Sequence, residues 1–307
     1  MATTRDPRFP DATTTGTVET RSGQTWYRVT GELGTTTRTP LVVLHGGPGA
    51  GHNYTLMMAN LAADGRAVVH YDQIGCGGST HLPDAPADFW TVDLFVDELR
   101  SVVDALGIGD RFHLLGQSWG GMLGPEVVLA DATGIASLTI CDSPASMQLW
   151  LEAAAKLRAE LPTDVQATLS AHEEAETTDS AEYAAAMQVF YDRYVCRVVP
   201  NPPEVKDTFD QLEAEPTVYH TMNGPSEFHV IGSMKDWTIV DRVDGITVPT
   251  LVVSGAYDEA QPATWAPYVE GIVGARSHVF GASSHMPHVE EPEAFADVVG
   301  SFLRQHD

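Results

Sequence analysis

Cysteine is scarce in this chain: there are three, Cys76, Cys141 and Cys196, at irregular spacing. An odd, unpaired set excludes a disulfide framework and offers no paired spacing of zinc ligands, so a reducing cytoplasmic setting is expected. Basic residues are few as well, 17 Lys and Arg against 42 Asp and Glu, for a net charge of −25. Nucleic acid and anionic membranes both need a basic surface, so neither is expected as a partner, whereas a cationic ligand would be favoured. The same acidity also serves solubility alone. No apolar run reaches the length of a membrane span. The stretch Met1 to Pro10 carries Arg5, Asp6 and Arg8 and lacks the apolar segment of a signal peptide. The histidines form no HExxH pattern, so neither a metal nor another cofactor is expected.

What is present is a core-forming chain of 307 residues, 43% of them apolar, enough for one large domain with an insertion. Compact apolar runs bounded by turn residues predict strands at Trp26 to Val29, Leu41 to Leu44, Ala67 to Tyr71, Phe112 to Leu115, Leu138 to Cys141, Leu251 to Val253 and His278 to Phe280. Between the third and fourth of these, Phe95, Leu99, Val102 and Leu106 recur at helical spacing, with Asp97, Arg100 and Asp104 facing elsewhere. Alternating strands and helices imply an α/β class with a mostly parallel central sheet. The alternation breaks over 143–237, where stretches such as Leu149 to Leu161 and Ala181 to Cys196 are Ala- and Glu-rich and helical. We therefore expect a core domain built from 1–142 and 238–307, with 143–237 inserted as a helical cap and a last helix from about Glu293 to Leu303.

Gly116-Gln117-Ser118-Trp119-Gly120 fits GxSxG, and it lies between a strand-like run and the helix-compatible Met122 to Ala130. In that context the pattern is a nucleophile elbow, the mark of the α/β-hydrolase fold, rather than a plain tight turn. A serine hydroxyl needs a base to take its proton, and this fold supplies acid and base downstream in the order Ser, Asp, His. Asp258 follows the run Leu251 to Ser254, and His285 lies in the loop after His278 to Phe280. Asp258 could instead cap the helix that starts near Pro262, and His288 competes with His285 as the base. His45-Gly46-Gly47-Pro48-Gly49 follows the Leu41 strand, where the fold provides its second oxyanion donor, so the backbone amides of Gly47 and Trp119 are the expected oxyanion hole.

Three motifs, His45-Gly46-Gly47-Pro48-Gly49, Asp72-Gln73-Ile74-Gly75-Cys76-Gly77-Gly78-Ser79 and Gly116 to Gly121, together resemble the proline iminopeptidase family of α/β-hydrolases. Met222 to Phe228 and Lys235-Asp236-Trp237 resemble its tricorn-interacting aminopeptidase-like branch. The resemblance implies that Glu227 and Glu259 hold the substrate's free α-ammonium group, an assignment consistent with the need of a desolvated cation for opposite charge. It implies a cofactor-free serine aminopeptidase or aminoacyl amidase that acts on a small peptide or aminoacyl amide and releases proline or another small or apolar residue. Ile74 stands where many members have arginine, which loosens the expectation of strict proline preference. The alternatives are removal of an aminoacyl group from a non-peptide amine in a biosynthetic pathway, a general carboxylesterase, and a catalytically silent binding protein.

Overall fold

The structure, a computed structural model, describes residues 6–34 and 37–307; the part of the N-terminal expectation that falls on Met1 to Arg5 lies outside the described residues. Among the described residues eight strands form one sheet: β1 (Thr14–Thr20), β2 (Gly23–Thr30), β3 (Leu41–Leu44), β4 (Val68–Tyr71), β5 (Phe112–Gln117), β6 (Ile135–Cys141), β7 (Thr250–Gly255) and β8 (Arg276–Phe280). Their spatial order is β1-β2-β4-β3-β5-β6-β7-β8, antiparallel at the β1·β2 and β2·β4 pairs and parallel from β4 onward. β1 was not legible as a strand because its alternation is carried by threonines and one buried valine, Val18. Its pairing with β2 across the edge of the sheet makes it one.

The central strands read as unbroken apolar runs because both faces of the sheet are covered. In β3, Leu41 and Val43 point to one face, where they pack with Leu251, Val253 and the helix residues Phe295, Val299 and Phe302. Val42 and Leu44 point to the other, with Leu114, Ile140, Phe95, Leu99 and Val102. Of the helices that cover the two faces, α1 (Val92–Ala105) supplies Phe95, Leu99 and Val102, α2 (Trp119–Ala130) follows β5 directly, and two more are introduced below. Helix α1 starts at Thr91, whose hydroxyl accepts a hydrogen bond from the Leu94 N–H at 3.2 Å and so satisfies one of the free donors of the first turn.

Between β6 and β7 the chain runs through five helices, α3 (Met147–Ala159), α4 (Thr163–Glu174), α5 (Ala181–Tyr194), α6 (Pro203–Ala214) and α7 (Thr217–Met222), and adds no strand to the sheet. These helices bury a cluster of their own, including Leu157, Leu169, Tyr183, Phe190 and Val205, which is shared with Tyr54, from the 3-10 helical segment Asn53–Asp64, and with Met286 from the loop after β8. The cap is thus seated on the loops at the carboxyl edge of the sheet. The chain ends with α8 (Pro262–Gly271), α9 (Pro287–Glu290) and α10 (Pro292–Gln305), of which α8 packs on one face of the sheet and α10 on the other. No helix among the described residues is long and apolar enough to cross a membrane.

Candidate active site

The parallel order β3-β5-β6-β7-β8 sets five strand ends side by side. From them emerge, in turn, the His45 to Gly49 loop, Ser118, Asp142, the turn to Asp258 and the loop to His285. A crevice at the carboxyl ends of parallel strands is where this kind of sheet binds ligands.

Ser118 sits between β5 and α2 at φ 53°, a left-handed backbone that costs a non-glycine residue about 1–3 kcal/mol. Its N–H donates to the Cys141 carbonyl (2.9 Å), and its carbonyl accepts from Gly121 N–H (2.8 Å) and the Ser143 hydroxyl (2.8 Å). The flanking glycines are sterically required. A Cβ on Gly116 would lie 1.9 Å from the Gly120 carbonyl oxygen, and one on Gly120 would lie 2.2 Å from that of Leu44. Trp119 is the first residue of α2, so its N–H has no acceptor within the helix. Trp119, Gly47 and Ser118 line one narrow cleft together with Glu227 and the apolar Met122, Pro144, Met147, Trp150 and Met234.

His285 Nδ1 lies 2.7 Å from Asp258 Oδ1, and both side chains are buried. Asp258 also accepts from the Ser254 hydroxyl (2.8 Å, Oδ2) and Ala260 N–H (2.8 Å, Oδ1), so its carboxyl is turned to the imidazole and is not a helix cap. The cap position of α8 belongs to Gln261. Burial alone would raise the Asp258 carboxyl, but the charge and hydrogen bond of His285 outweigh it and hold it below the usual aspartate range. Burial would correspondingly lower His285, but the Asp258 charge and hydrogen bond, with Glu227 and Glu290 behind them, raise it above the ordinary histidine value. Its Nε2 is buried without a hydrogen-bond partner, which leaves it available to a serine hydroxyl or a leaving amine. His288 is no rival. Its Nε2 donates to the Tyr54 carbonyl (3.1 Å), and burial pushes it down to about 3, so it is neutral and already engaged.

The residues that tie these loops together were invisible to sequence reasoning. Gly46 N–H donates to Tyr54 Oη (2.7 Å), Tyr54 donates to Gln117 Oε1, and Gln117 Nε2 donates to the His285 carbonyl (2.8 Å). One chain of bonds therefore joins the glycine loop, the residue before the nucleophile and the histidine loop. Trp119 Nε1 donates to Gln73 Oε1 (2.8 Å), while Gln73 donates its backbone N–H to His45 Nε2 (3.0 Å). His45, Asp72 and Cys76 bring potential ligand atoms within 4.8 Å of one another. Asp72 accepts from His52 N–H and Gly78 N–H at 2.8 Å each, His45 accepts from Gln73, and the Cys76 thiol donates to the Gln73 carbonyl at 3.1 Å. Ile74 is buried in the main core and donates its N–H to Glu98 (2.9 Å), whose carboxyl burial pushes up to about 7.

Glu259 and Glu227 meet from core and cap. Glu259 is 1% exposed, neither of its carboxyl oxygens has a hydrogen-bond partner, and Oε1 stands 3.8 Å from His285 Nε2. Glu227 lines the cleft and accepts from Tyr219 Oη at 2.6 Å. Burial raises both carboxyls above the usual glutamate range, Glu259 the more strongly because Glu227 and Asp258 add like charge. Trp150 links the two halves by donating from Nε1 to the Glu227 carbonyl (2.7 Å) while its ring stands edge-on to that of His285.

Ser118, with backbone amides next to it, and the buried Asp258–His285 pair emerge from the same edge of the sheet, without a hydrogen bond between Ser118 and His285 Nε2, and together they define a serine hydrolase of the α/β-hydrolase fold. The α/β-hydrolase fold family model matches residues 39–292. The chain is 39% identical over 273 residues to a proline iminopeptidase of Heyndrickxia coagulans, covering 86% of this chain and 90% of that one. It is 34% identical over 267 residues to one of Saccharolobus solfataricus, covering 86% and 84%. Among solved structures, VinJ superposes with a TM-score of 0.95 at 50% identity, over 97% of this chain and 100% of that one. The proline iminopeptidase of Mycobacterium smegmatis does so with 0.87 at 54%, over 95% and 98%. This chain belongs to the proline iminopeptidase family.

Proposed function

We propose that the protein is a cofactor-free aminopeptidase that removes one N-terminal residue, proline or another small or apolar residue, from a small peptide or aminoacyl amide with a free amine. The observation that carries this reading is the pair Glu227 and Glu259, above all the buried and unpartnered carboxyl of Glu259 beside His285. A charge buried without a partner is destabilising, so such a group is retained for a ligand that completes it. A general esterase has no use for it. The ammonium group, held between the two carboxyls at a set distance from Ser118, leaves the first residue's carbonyl within reach of attack.

Ser118 Oγ attacks that carbonyl as His285 Nε2 takes its proton, and Asp258 fixes the imidazole with Nε2 as the acceptor. The amides of Gly47 and Trp119 receive the developing oxyanion, each donor worth about 3–4 kcal/mol in the transition state. His285 then gives its proton to the leaving amine, and water attacks the ester by the reverse path. The methionines and Trp150 of the cleft form an apolar wall for the first side chain, and because methionine re-packs easily, residues other than proline are accommodated. The three cysteines are free and buried, in keeping with a cytoplasmic setting. The test is a panel of aminoacyl arylamides, each with a free and an acetylated amine. Free-amine substrates should be cleaved at least about a hundredfold faster, and equal rates would overturn the proposal.

A further inference from the structure

Asp142 directly follows β6, which lies between the strand that delivers Ser118 and the strand that leads to Asp258. It is fully buried, its backbone is held at φ 53°, and its N–H donates to the Val253 carbonyl of β7 at 2.8 Å. Neither oxygen of its carboxyl has a well-formed hydrogen bond among the described residues, the Gly255 N–H being the backbone donor that faces it. What the carboxyl meets is another carboxyl, that of Asp258. The other titratable groups facing it are Glu290, Cys141 and Tyr54, none of them a cation.

Two carboxyls in contact in a low-dielectric interior do not both ionise, and the one better supplied with donors keeps the charge. Asp258 has three well-formed donors, from His285, Ser254 and Ala260, whereas Asp142 has only the poorly placed Gly255 N–H. We propose that Asp142 is a neutral acid whose O–H donates a fourth hydrogen bond to Asp258, making it a positioning residue that tempers the pull of Asp258 on the His285 imidazole. Burial and the Asp258 charge hold the Asp142 carboxyl well above the usual aspartate range, and the contact helps to keep Asp258 below it. The proton stays on Asp142 throughout turnover. This inference rests on His285 and Asp258 acting as base and orienting acid.

The experiment compares the acid limb of kcat/KM in the parent, Asp142→Leu and Asp142→Asn. Leucine keeps the volume but donates nothing, so Asp258 presents more charge to the imidazole. The limb should move up by about 0.5–1 pH unit, with kcat falling roughly tenfold. Asparagine still donates, and it should bring the limb back to within about 0.3 unit of the parent. If Asp142 were ionised, asparagine would instead remove a negative charge behind the histidine and lower the limb by about one unit or more, which overturns the proposal. An unmoved limb in Asp142→Leu overturns it too. Should leucine prevent folding, infrared spectroscopy at neutral pH decides: a protonated-carboxyl band present in the parent and absent in Asp142→Asn supports the assignment, and an unchanged spectrum refutes it. Retained turnover in His285→Ala would defeat the catalytic reading alone, since the infrared band reports Asp142 without reference to activity.

Discussion

Glu259→Gln is the substitution that separates an aminopeptidase from a general esterase. The side chain is 1% exposed and both carboxyl oxygens lack a partner, so both are open to an arriving ammonium, whose charge favours the ionised carboxylate that burial opposes. Glutamine keeps the volume and one acceptor but not that charge. Loss of one member of a buried, hydrogen-bonded charge pair costs about 2–5 kcal/mol, or about 30-fold to a few thousand-fold in kcat/KM when the contact persists in the transition state. Glu259→Gln belongs in the upper half of that range, because no hydrogen-bond partner among the described residues satisfies this carboxyl. Glu227→Gln belongs in the lower half, because Tyr219 remains to hold the side chain. The assay uses an aminoacyl arylamide at the plateau of the pH profile, with an aryl acetate as the control that makes no use of the pocket.

Stability supplies an independent reading of the same substitution. The Glu259 carboxyl is raised by burial and neighbouring negative charge, so over an interval above the ordinary glutamate value the folded chain holds a proton that the unfolded chain has released. Its contribution to stability is therefore fully present below that value and is lost as pH rises through the folded one. Glutamine has nothing to ionise, so the variant should melt higher than the parent at about pH 8, the difference closing near about pH 4. Unimpaired arylamide cleavage by Glu259→Gln, or an equal loss on the aryl acetate, would refute the amine anchor.

Ser118→Ala and His285→Ala should each abolish nearly all turnover, and Asp258→Asn should lose roughly 10⁴-fold; a near-parental rate in Ser118→Ala would exclude the acyl-enzyme. The kcat/KM profile should rise with pH through a value above that of an ordinary histidine, because the Asp258 charge raises His285 and the base works only unprotonated; an acid limb at or below about 6 would contradict this. Gly120→Ala sets a Cβ 2.2 Å from the Leu44 carbonyl oxygen, backbone against backbone, and should cost about 3 kcal/mol or more, read as a melting temperature several degrees lower. An unchanged melting curve would show that the elbow has room to relax.

By itself the sequence determined whatever depends on short spacing. The elbow was legible because its glycines are steric necessities within five residues, and the central strands because full burial demands unbroken apolar runs such as Leu41 to Leu44. Chain order then pointed to Asp258 and His285, while Glu227 and Glu259 were reached only through family resemblance. The cap helix α4 escaped notice because Leu169 is its one buried residue, too little for a periodic signal. Only the tertiary structure could decide which groups face one another across long separations. Gln117 is 168 residues from His285 and Tyr54 is 234 from His288, so no local pattern announces that they brace one site. The same holds for protonation. His285 is kept basic, His288 neutral and Glu259 unsatisfied by burial and by charges brought in from other strands, and those exist only once the sheet has set its strand ends side by side.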